Sequence, residues 1–378
     1  MKVCLDGQSL LGQFSGIGRY TLNLYSYLAM RHDLEIFVGF NRIARHIGVD
    51  ELPIQIGNIK NNRYPYKVIR RLFPPNLLYK LPYDLGMREK FDIFHGTNYT
   101  YMPTRHGKHV VSIHDLAFMK YPETTSKKIY QHHMKWVPYC AKYADHVITI
   151  SEASKNDIMQ LLDVSEAKIT VTPLAADERF RPMLRHEFQY IFEKYQLPER
   201  YVLFVGTIEA RKNLLTLMKA HHYVTQNYDL DYKLVVVGAQ GWRTSALYEY
   251  IRDHQLQNTV VFTGYVEDKD LPAIYNGARM FAMPSWYEGF GMPLVEAMQC
   301  GVPVIGSGMS SIPEVIGADG LLCNPGQPQE WSNYIYSLLS SDSEYKKWSD
   351  YSLQRATLFH WSRTAEMTRE VYKKILHD

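Results

Sequence analysis

The chain has 378 residues, 46% of them hydrophobic, with 42 basic residues against 39 acidic ones for a net charge of +3. That length allows two domains with substantial cores. The near-balance of charge excludes a general nucleic-acid binder, which carries far more positive charge. The four cysteines, Cys4, Cys140, Cys300 and Cys323, are scattered and show no CxxC spacing. They read as free thiols in a reducing compartment rather than a disulfide framework. The N-terminal stretch MKVCLDGQSL lacks a signal-peptide core, and no run approaches a membrane span. The expected location is therefore the cytoplasm.

In chain order, Lys2–Asp6 reads as a buried parallel strand, and the glycine loop Gly12–Arg19 leads to a helical pattern from Tyr20 to Met30. Strand, glycine loop and helix open a Rossmann-like half. The loop lacks a full GxGxxG, so Gly16 and Gly18 are candidates for close backbone approach to a ligand or for a simple tight turn. Further strands are expected at 35–40, 53–59, 92–95, 109–114, 146–150 and 168–173, with helices at 126–144 and 152–162. The alternation predicts a parallel sheet covered on both faces. His114 ends one of these strands, where ligands gather in open α/β sheets, although a lone histidine is more often structural. The stretch 64–85 mixes Lys67, Arg70, Arg71 and Lys80 with leucines and aromatics. Three readings stay open for it: a peripheral contact with an anionic membrane at its inner face, an acceptor-binding surface, or a solvated face over a buried stripe.

The segment 173–182 (PLAADERFRP) has prolines at both ends and is the expected interdomain linker. The second half restarts at Tyr201–Val205, followed by Gly206 and the Arg211-Lys212-Asn213 loop. Its later strands are expected at 233–238, 260–266, 279–283, 303–306 and 320–323, and its helices at 245–254, 271–278, 293–300 and 328–339. A last helix, 363–376, is expected to return to the first half. The fold class is thus α/β with two doubly wound, Rossmann-like halves facing across a cleft, a natural ligand site.

The most informative stretch is Met283–Glu296, MPSWYEGFGMPLVE. A strand runs into a loop with Gly289 and Gly291, and a helix opens at Met292-Pro293, where proline's missing N–H orphans nothing. Such a helix end favours anions. Glu288 and Glu296, in contrast, suit hydroxyls. A phosphate-friendly helix end beside two carboxylates suggests a nucleotide sugar. Breaking its anomeric bond puts negative charge on a departing diphosphate, which fixed cations or a metal must neutralise. Arg211 and Lys212 supply fixed cations. Asp229-Leu230-Asp231 has the letters of a metal-binding DxD but precedes a strand instead of following one, so it reads as a turn, and no metal site is expected.

The paired glutamates, Glu288-Gly-Phe-Gly-Met-Pro-Leu-Val-Glu296, resemble the signature of the family 4 retaining glycosyltransferases of GT-B fold. Gly206 with Arg211-Lys212-Asn213 resembles that family's diphosphate loop, and Gly264-Tyr265-Val266 its base-contacting segment. Gly301–Val304, Ser311–Val315, Ser15–Tyr20, Ser112–Leu116 and His360–Ala365 extend the resemblance over essentially the whole chain, toward bacterial mannosyltransferases of polysaccharide assembly. The resemblance implies an acceptor-side domain over 1–176 with a crossing helix 361–378, and a donor-binding domain over 183–360. It implies a retaining, metal-independent hexosyltransferase that moves a hexose, such as mannose, from a GDP- or UDP-linked donor. The acceptor would be a glycan or lipid-linked saccharide in cell-surface polysaccharide synthesis.

By that resemblance Arg211 and Lys212 stabilise the leaving diphosphate, Glu288 holds donor-sugar hydroxyls or the ring's developing charge, and His114 contacts the donor sugar or phosphate from the other domain. Glu296 binds ribose, while Gly16, Gly206, Val266, Phe290, Gly291, Met292 and Leu294 shape the donor site. The competing expectations are a nucleotide-sugar epimerase on the same fold and a non-catalytic nucleotide-sugar binding protein.

Overall fold

The structure is a computed structural model that describes residues 1–11, 16–40, 56–61, 68, 72–78, 82, 84, 89–241 and 244–377. The chain divides into two compact units, residues 1–174 with 361–378, and residues 175–360.

The first unit is built on seven strands: β1 (Lys2–Asp6), β2 (Glu35–Phe40), β3 (Ile59–Asn61), β4 (Ile93–Gly96), β5 (Lys108–Ser112), β6 (His146–Thr149) and β7 (Ile169–Val171). They lie in the order β3-β2-β1-β4-β5-β6-β7, and every pairing is parallel. Parallel strands covered on both faces read as unbroken apolar runs rather than alternating ones. Val3, Leu5, Val38, Ile93, Val110, Val111, Val147 and Ile148 accordingly have no exposed surface. The second unit holds β8 (Tyr201–Val205), β9 (Lys233–Val237), β10 (Val260–Gly264), β11 (Met280–Met283), β12 (Val304–Ser307) and β13 (Leu321–Cys323). Their order is β10-β9-β8-β11-β12-β13, again all parallel. In each sheet the winding reverses once, between β1 and β4 in the first and between β8 and β11 in the second. Loops leaving adjacent strands at such a reversal turn to opposite sides and open a crevice at the carboxyl edge.

Local signals place most helices. Ser126 and Ser151 cap the Lys127–Tyr143 and Glu152–Leu162 helices by accepting from the backbone N–H of Ile129 and Ser154. The Asp342–Ala356 helix is absent from the expectations above. Only Ser352 and Ala356 of it are buried, so its apolar periodicity is faint. Its cap was nevertheless legible: Ser341 accepts from the N–H of Glu344, the spacing of a capping box. The first helix also differs from expectation. It runs Gly16–Ala29, so Gly16 is its first residue and not part of a preceding loop. The expected strand at 53–59 becomes β3, later in the chain; residues 53–55 and most of 64–85 lie outside the described residues.

The last helix, Trp361–His377, belongs to the first unit. Trp361, Ala365, Val371, Tyr372 and Ile375 are buried along one face. Arg369 grips Asp33 through both Nε and Nη2, at 2.9 and 2.6 Å to Oδ2. Among the described residues no helix is long and apolar enough to cross a membrane.

Candidate active site

The reversal in the second sheet brings together the loop after β8 and the loop after β11. A short 3-10 turn, Ala210–Lys212, follows β8 and ends at Asn213, which adopts the left-handed conformation with φ 52°. Asparagine tolerates that region better than most residues. From there its Nδ2 donates to the carbonyls of Pro284, at 3.0 Å, and Pro325, at 2.7 Å. One side chain thereby ties the loops after β8, β11 and β13. The backbone N–H of Trp286 donates to the Arg211 carbonyl at 2.9 Å and adds a second tie.

These ties present the basic pair to Glu288. Lys212 Nζ donates to Glu288 Oε1 at 2.6 Å, and Arg211 Nη1 lies 3.3 Å from Oε2. Ser285 Oγ donates to the same Oε1 at 2.6 Å. Arg211 Nη1 also donates to the Tyr287 carbonyl at 2.5 Å, and its Nη2 to Glu209 Oε1 at 2.6 Å. All four charged side chains are largely shielded: 15% exposed for Arg211, 13% for Lys212, 10% for Glu209 and 9% for Glu288. Burial works against the Glu288 charge, but the Lys212 and Arg211 charges, with hydrogen bonds from Lys212 and Ser285, outweigh it and hold its carboxyl down at about 2. The sequence reading gave Glu288 to the sugar and the two cations to the phosphate as separate tasks. The structure makes them one ion cluster, because β8 and β11 are neighbours.

The backbone around Glu288 is fixed as firmly. Ser310 and Ser311 donate through Oγ to its carbonyl at 2.6 and 2.9 Å, and Ser311 also reaches the Phe290 carbonyl at 3.0 Å. Gly291 then caps the Met292–Gln299 helix at φ 101°, a conformation that disfavours any residue with a Cβ. Phe290 and Leu294 are buried, Phe290 with its ring edge-on to Phe359 at 5.7 Å. Their side chains therefore support the loop from below. Glu296, on this helix, is buried and accepts from the Tyr275 hydroxyl at 2.9 Å. The two glutamates of the signature thus have different partners on different elements.

Gly206, Gly238 and Gly264 end or follow β8, β9 and β10. Gly206 N donates to Val237 O, and Gly238 N to Gly264 O, both at 2.9 Å. A Cβ at Gly238 would collide with the Gly206 carbonyl. The sequence reading singled out Gly206 and missed Gly238, although a glycine directly after an apolar strand run was available as its signal. Val266 is buried two residues beyond Gly264. Asp229–Asp231 precedes β9, with Asp231 exposed and 3.2 Å from Lys233.

In the first unit His114 follows β5. Its Nε2 donates to the Thr97 carbonyl at 2.9 Å, and its ring meets Tyr20 edge-on at 4.8 Å. Burial pushes the imidazole below the ordinary histidine range, against the hydrogen bond to Thr97 and the Asp115 charge. A neutral ring with its proton on Nε2 keeps Nδ1 as an acceptor. Thr97 Oγ1 donates to the Asp6 carbonyl at 2.8 Å, spanning the reversal between β1 and β4. Beneath His114 runs a buried chain that the sequence did not reveal. The Tyr20 hydroxyl is 2.8 Å from Ser112 Oγ, which is 2.7 Å from His95 Nε2, and His95 Nδ1 is 2.6 Å from the Tyr372 hydroxyl. Gly16 is exposed, and a Cβ there would meet nothing within 4 Å. Steric closeness within its own unit therefore does not require the glycine.

Residues 188–355 match the family model of glycosyl transferases group 1, and residues 14–180 that of glycosyltransferase family 4. The chain is similar to the O-antigen chain mannosyltransferase B of Escherichia coli, 31% identical over 99% of this chain and 100% of the relative. It is also similar to the O-antigen chain mannosyltransferase RfbU of Salmonella typhimurium, 27% identical over 64% of each chain. Among solved structures, sucrose-phosphate synthase from Thermosynechococcus elongatus superposes with a TM-score of 0.72 at 18% identity, over 100% of this chain and 99% of that one. Anabaena HepE in complex with UDP and glucose gives a TM-score of 0.70 at 18% identity, over 98% and 99%. At that identity the structures establish the fold, GT-B. The full-length relative, the two family models and the paired-glutamate loop agree: the chain belongs to the group 1, family 4 glycosyltransferases, and it is a glycosyltransferase.

Proposed function

We propose that the chain transfers mannose from a nucleotide-diphosphate donor, GDP-mannose, to a glycan or lipid-linked saccharide of a cell-surface polysaccharide of O-antigen type. The observation that carries this reading is the Arg211–Lys212–Glu288 cluster at the sheet reversal, beside a glycine-capped helix. The identity to an O-antigen mannosyltransferase over its full length supports the choice of sugar and polymer. That a fold neighbour holds UDP and glucose supports a nucleotide sugar as donor class.

In this reading the donor diphosphate lies against Arg211, Lys212 and the backbone N–H groups near Gly291 and Met292. As the anomeric C–O bond breaks, the electron pair leaves with the diphosphate and positive charge grows on the ring. Preorganised cations in a shielded site stabilise the departing charge. The diphosphate competes with Glu288 for the same donors, which turns that carboxylate toward hydroxyls of the sugar. Glu296, held by Tyr275, binds the ribose. The acceptor hydroxyl attacks from the face the phosphate leaves and gives its proton to a phosphate oxygen, so the anomeric configuration is retained. His114, neutral with an acceptor at Nδ1, is suited to accept from a hydroxyl. The basic-apolar stretch 64–85 rests on an anionic membrane where a lipid-linked acceptor is presented; of its described residues Val68, Leu72 and Leu77 are exposed.

The test is a thermal-shift panel of GDP-, UDP- and ADP-sugars, followed by transfer of labelled sugar to a lipid-linked acceptor. Stabilisation follows RT ln(1 + [L]/Kd), so a true donor stands out. GDP-mannose is expected to shift the melt most and to yield an α-linked product. A stronger shift with a UDP-hexose, or transfer of another sugar, overturns the donor assignment.

A further inference from the structure

We propose a second ligand site, for a phosphate group, at the amino edge of the first sheet. A solvent-open recess of about 240 Å³ is lined there by Lys108, Asp145, His146, Ser165, Lys168 and Lys374, among others. Drug-sized ligands occupy roughly 300–1,000 Å³. The recess therefore suits one phosphate or a small phosphomonoester rather than a nucleotide sugar.

The lining is built for an anion. Three ammonium groups face a single carboxylate, and that carboxylate is already engaged. Asp145 Oδ2 accepts from the His109 N–H at 2.7 Å, and its Oδ1 lies 3.6 Å from Lys108 Nζ. Lys168 donates to the carbonyls of Ala141, at 3.3 Å, and Lys142, at 2.7 Å, near the end of the Lys127–Tyr143 helix. An ammonium has three N–H donors, so one is left for a ligand. Burial lowers the Lys168 pKa, with Asp145 opposing; a partly desolvated ammonium of this kind gains from an added anion. Lys374, on the terminal helix, is exposed and has no ion-pair partner among the described residues. His146 Nε2 lies 2.8 Å from Thr170 Oγ1. Three lysines against one aspartate give the recess an excess of positive charge of about +2 at neutral pH.

It is separate from the donor chemistry. Lys108 opens β5, and His114 lies six residues on, just past the strand's other end. At 3.3 Å per residue the recess and His114 are roughly 20 Å apart along the sheet. Phosphate at this edge would come either from solution, as a soluble effector, or from a lipid headgroup that docks the enzyme. The chemistry of recognition is shared.

The experiment titrates inorganic phosphate into the full chain by calorimetry, and in parallel sediments the protein with vesicles containing phosphatidylglycerol. Wild type is compared with Lys374→Gln and Lys374→Glu. Lys374 is exposed, so the variants are expected to melt as wild type does and to turn over the donor at the wild-type rate in detergent. Losing one charge-assisted contact weakens phosphate binding about tenfold for Gln, and the reversed charge in Glu weakens it further. A graded loss in the phosphate titration alone assigns a soluble phosphate. A graded loss in sedimentation, relieved by added phosphate, assigns a headgroup. If neither measurement separates the three proteins, the site does not exist.

Discussion

Glu288 is ionised at neutral pH although burial raises its pKa, and its neighbours set the sign of the effect. The carboxyl titrates at about 2 in the fold, against 4.5 without perturbation. A depressed folded pKa gives stability that is complete above pH 4.5 and is lost as the pH falls toward 2. The difference corresponds to roughly 3 kcal/mol. Glu288→Gln is therefore expected to lower the unfolding free energy at pH 7 by about that amount. In denaturant titrations the gap from wild type should narrow between pH 4.5 and 3; a gap constant across that range would mean that packing, not charge, is lost. Arg211→Ala removes the cation proposed to stabilise the leaving diphosphate and is expected to lower kcat by roughly 100-fold or more. A change confined to KM would make Arg211 a uniform binder. Glu296→Ala should weaken donor binding in calorimetry, and unchanged donor affinity would remove its ribose role.

At the scale of elements, the loops are held by few side chains, and Asn213 is the strongest test. It combines a left-handed backbone with two hydrogen bonds to carbonyls of other loops. Asn213→Ala loses both bonds, about 1 kcal/mol each, and strains the backbone by a further ~1–2 kcal/mol. Asn213→Gly loses the bonds but keeps the conformation. Alanine should therefore cost about 1 kcal/mol more than glycine in equilibrium unfolding. Equal costs would show that the left-handed conformation is not retained. Both variants should also lose activity, because the Arg211 loop is no longer pinned to Pro284.

For the molecule as a whole, the terminal helix is part of the first unit although it lies at the far end of the sequence. Its Tyr372 closes the buried chain to His95, where burial and the neighbouring His114 hold the imidazole down at about 3. Truncation after His360 exposes that chain and removes the buried Trp361, Val371 and Ile375. Scanning calorimetry of the truncated protein is expected to show the first unit melting earlier by ten degrees or more, with the second little changed; each lost large apolar side chain costs about 2–5 kcal/mol. An unchanged first transition would mean that the helix is dispensable.

Residue types and their local order determined a great deal. Apolar runs with glycine after them marked the parallel strands, and proline at Pro293 marked the opening of its helix. Glu288, Gly291 and Glu296 marked the loop and helix that follow β11, because backbone conformation and helix polarity are local properties. Glu209 was open to the same reading, two residues from Arg211. What only the tertiary structure decided was partnership. β8 and β11 are adjacent although some seventy-five residues separate them in sequence, so Lys212 meets Glu288 there, while Tyr275 meets Glu296 because the helices before and after β11 pack together. The Tyr20–Ser112–His95–Tyr372 chain likewise joins four elements with no common period. Such pairings depend on strand order. A local pattern cannot encode strand order, because burial drives an apolar run into a sheet without naming its neighbour.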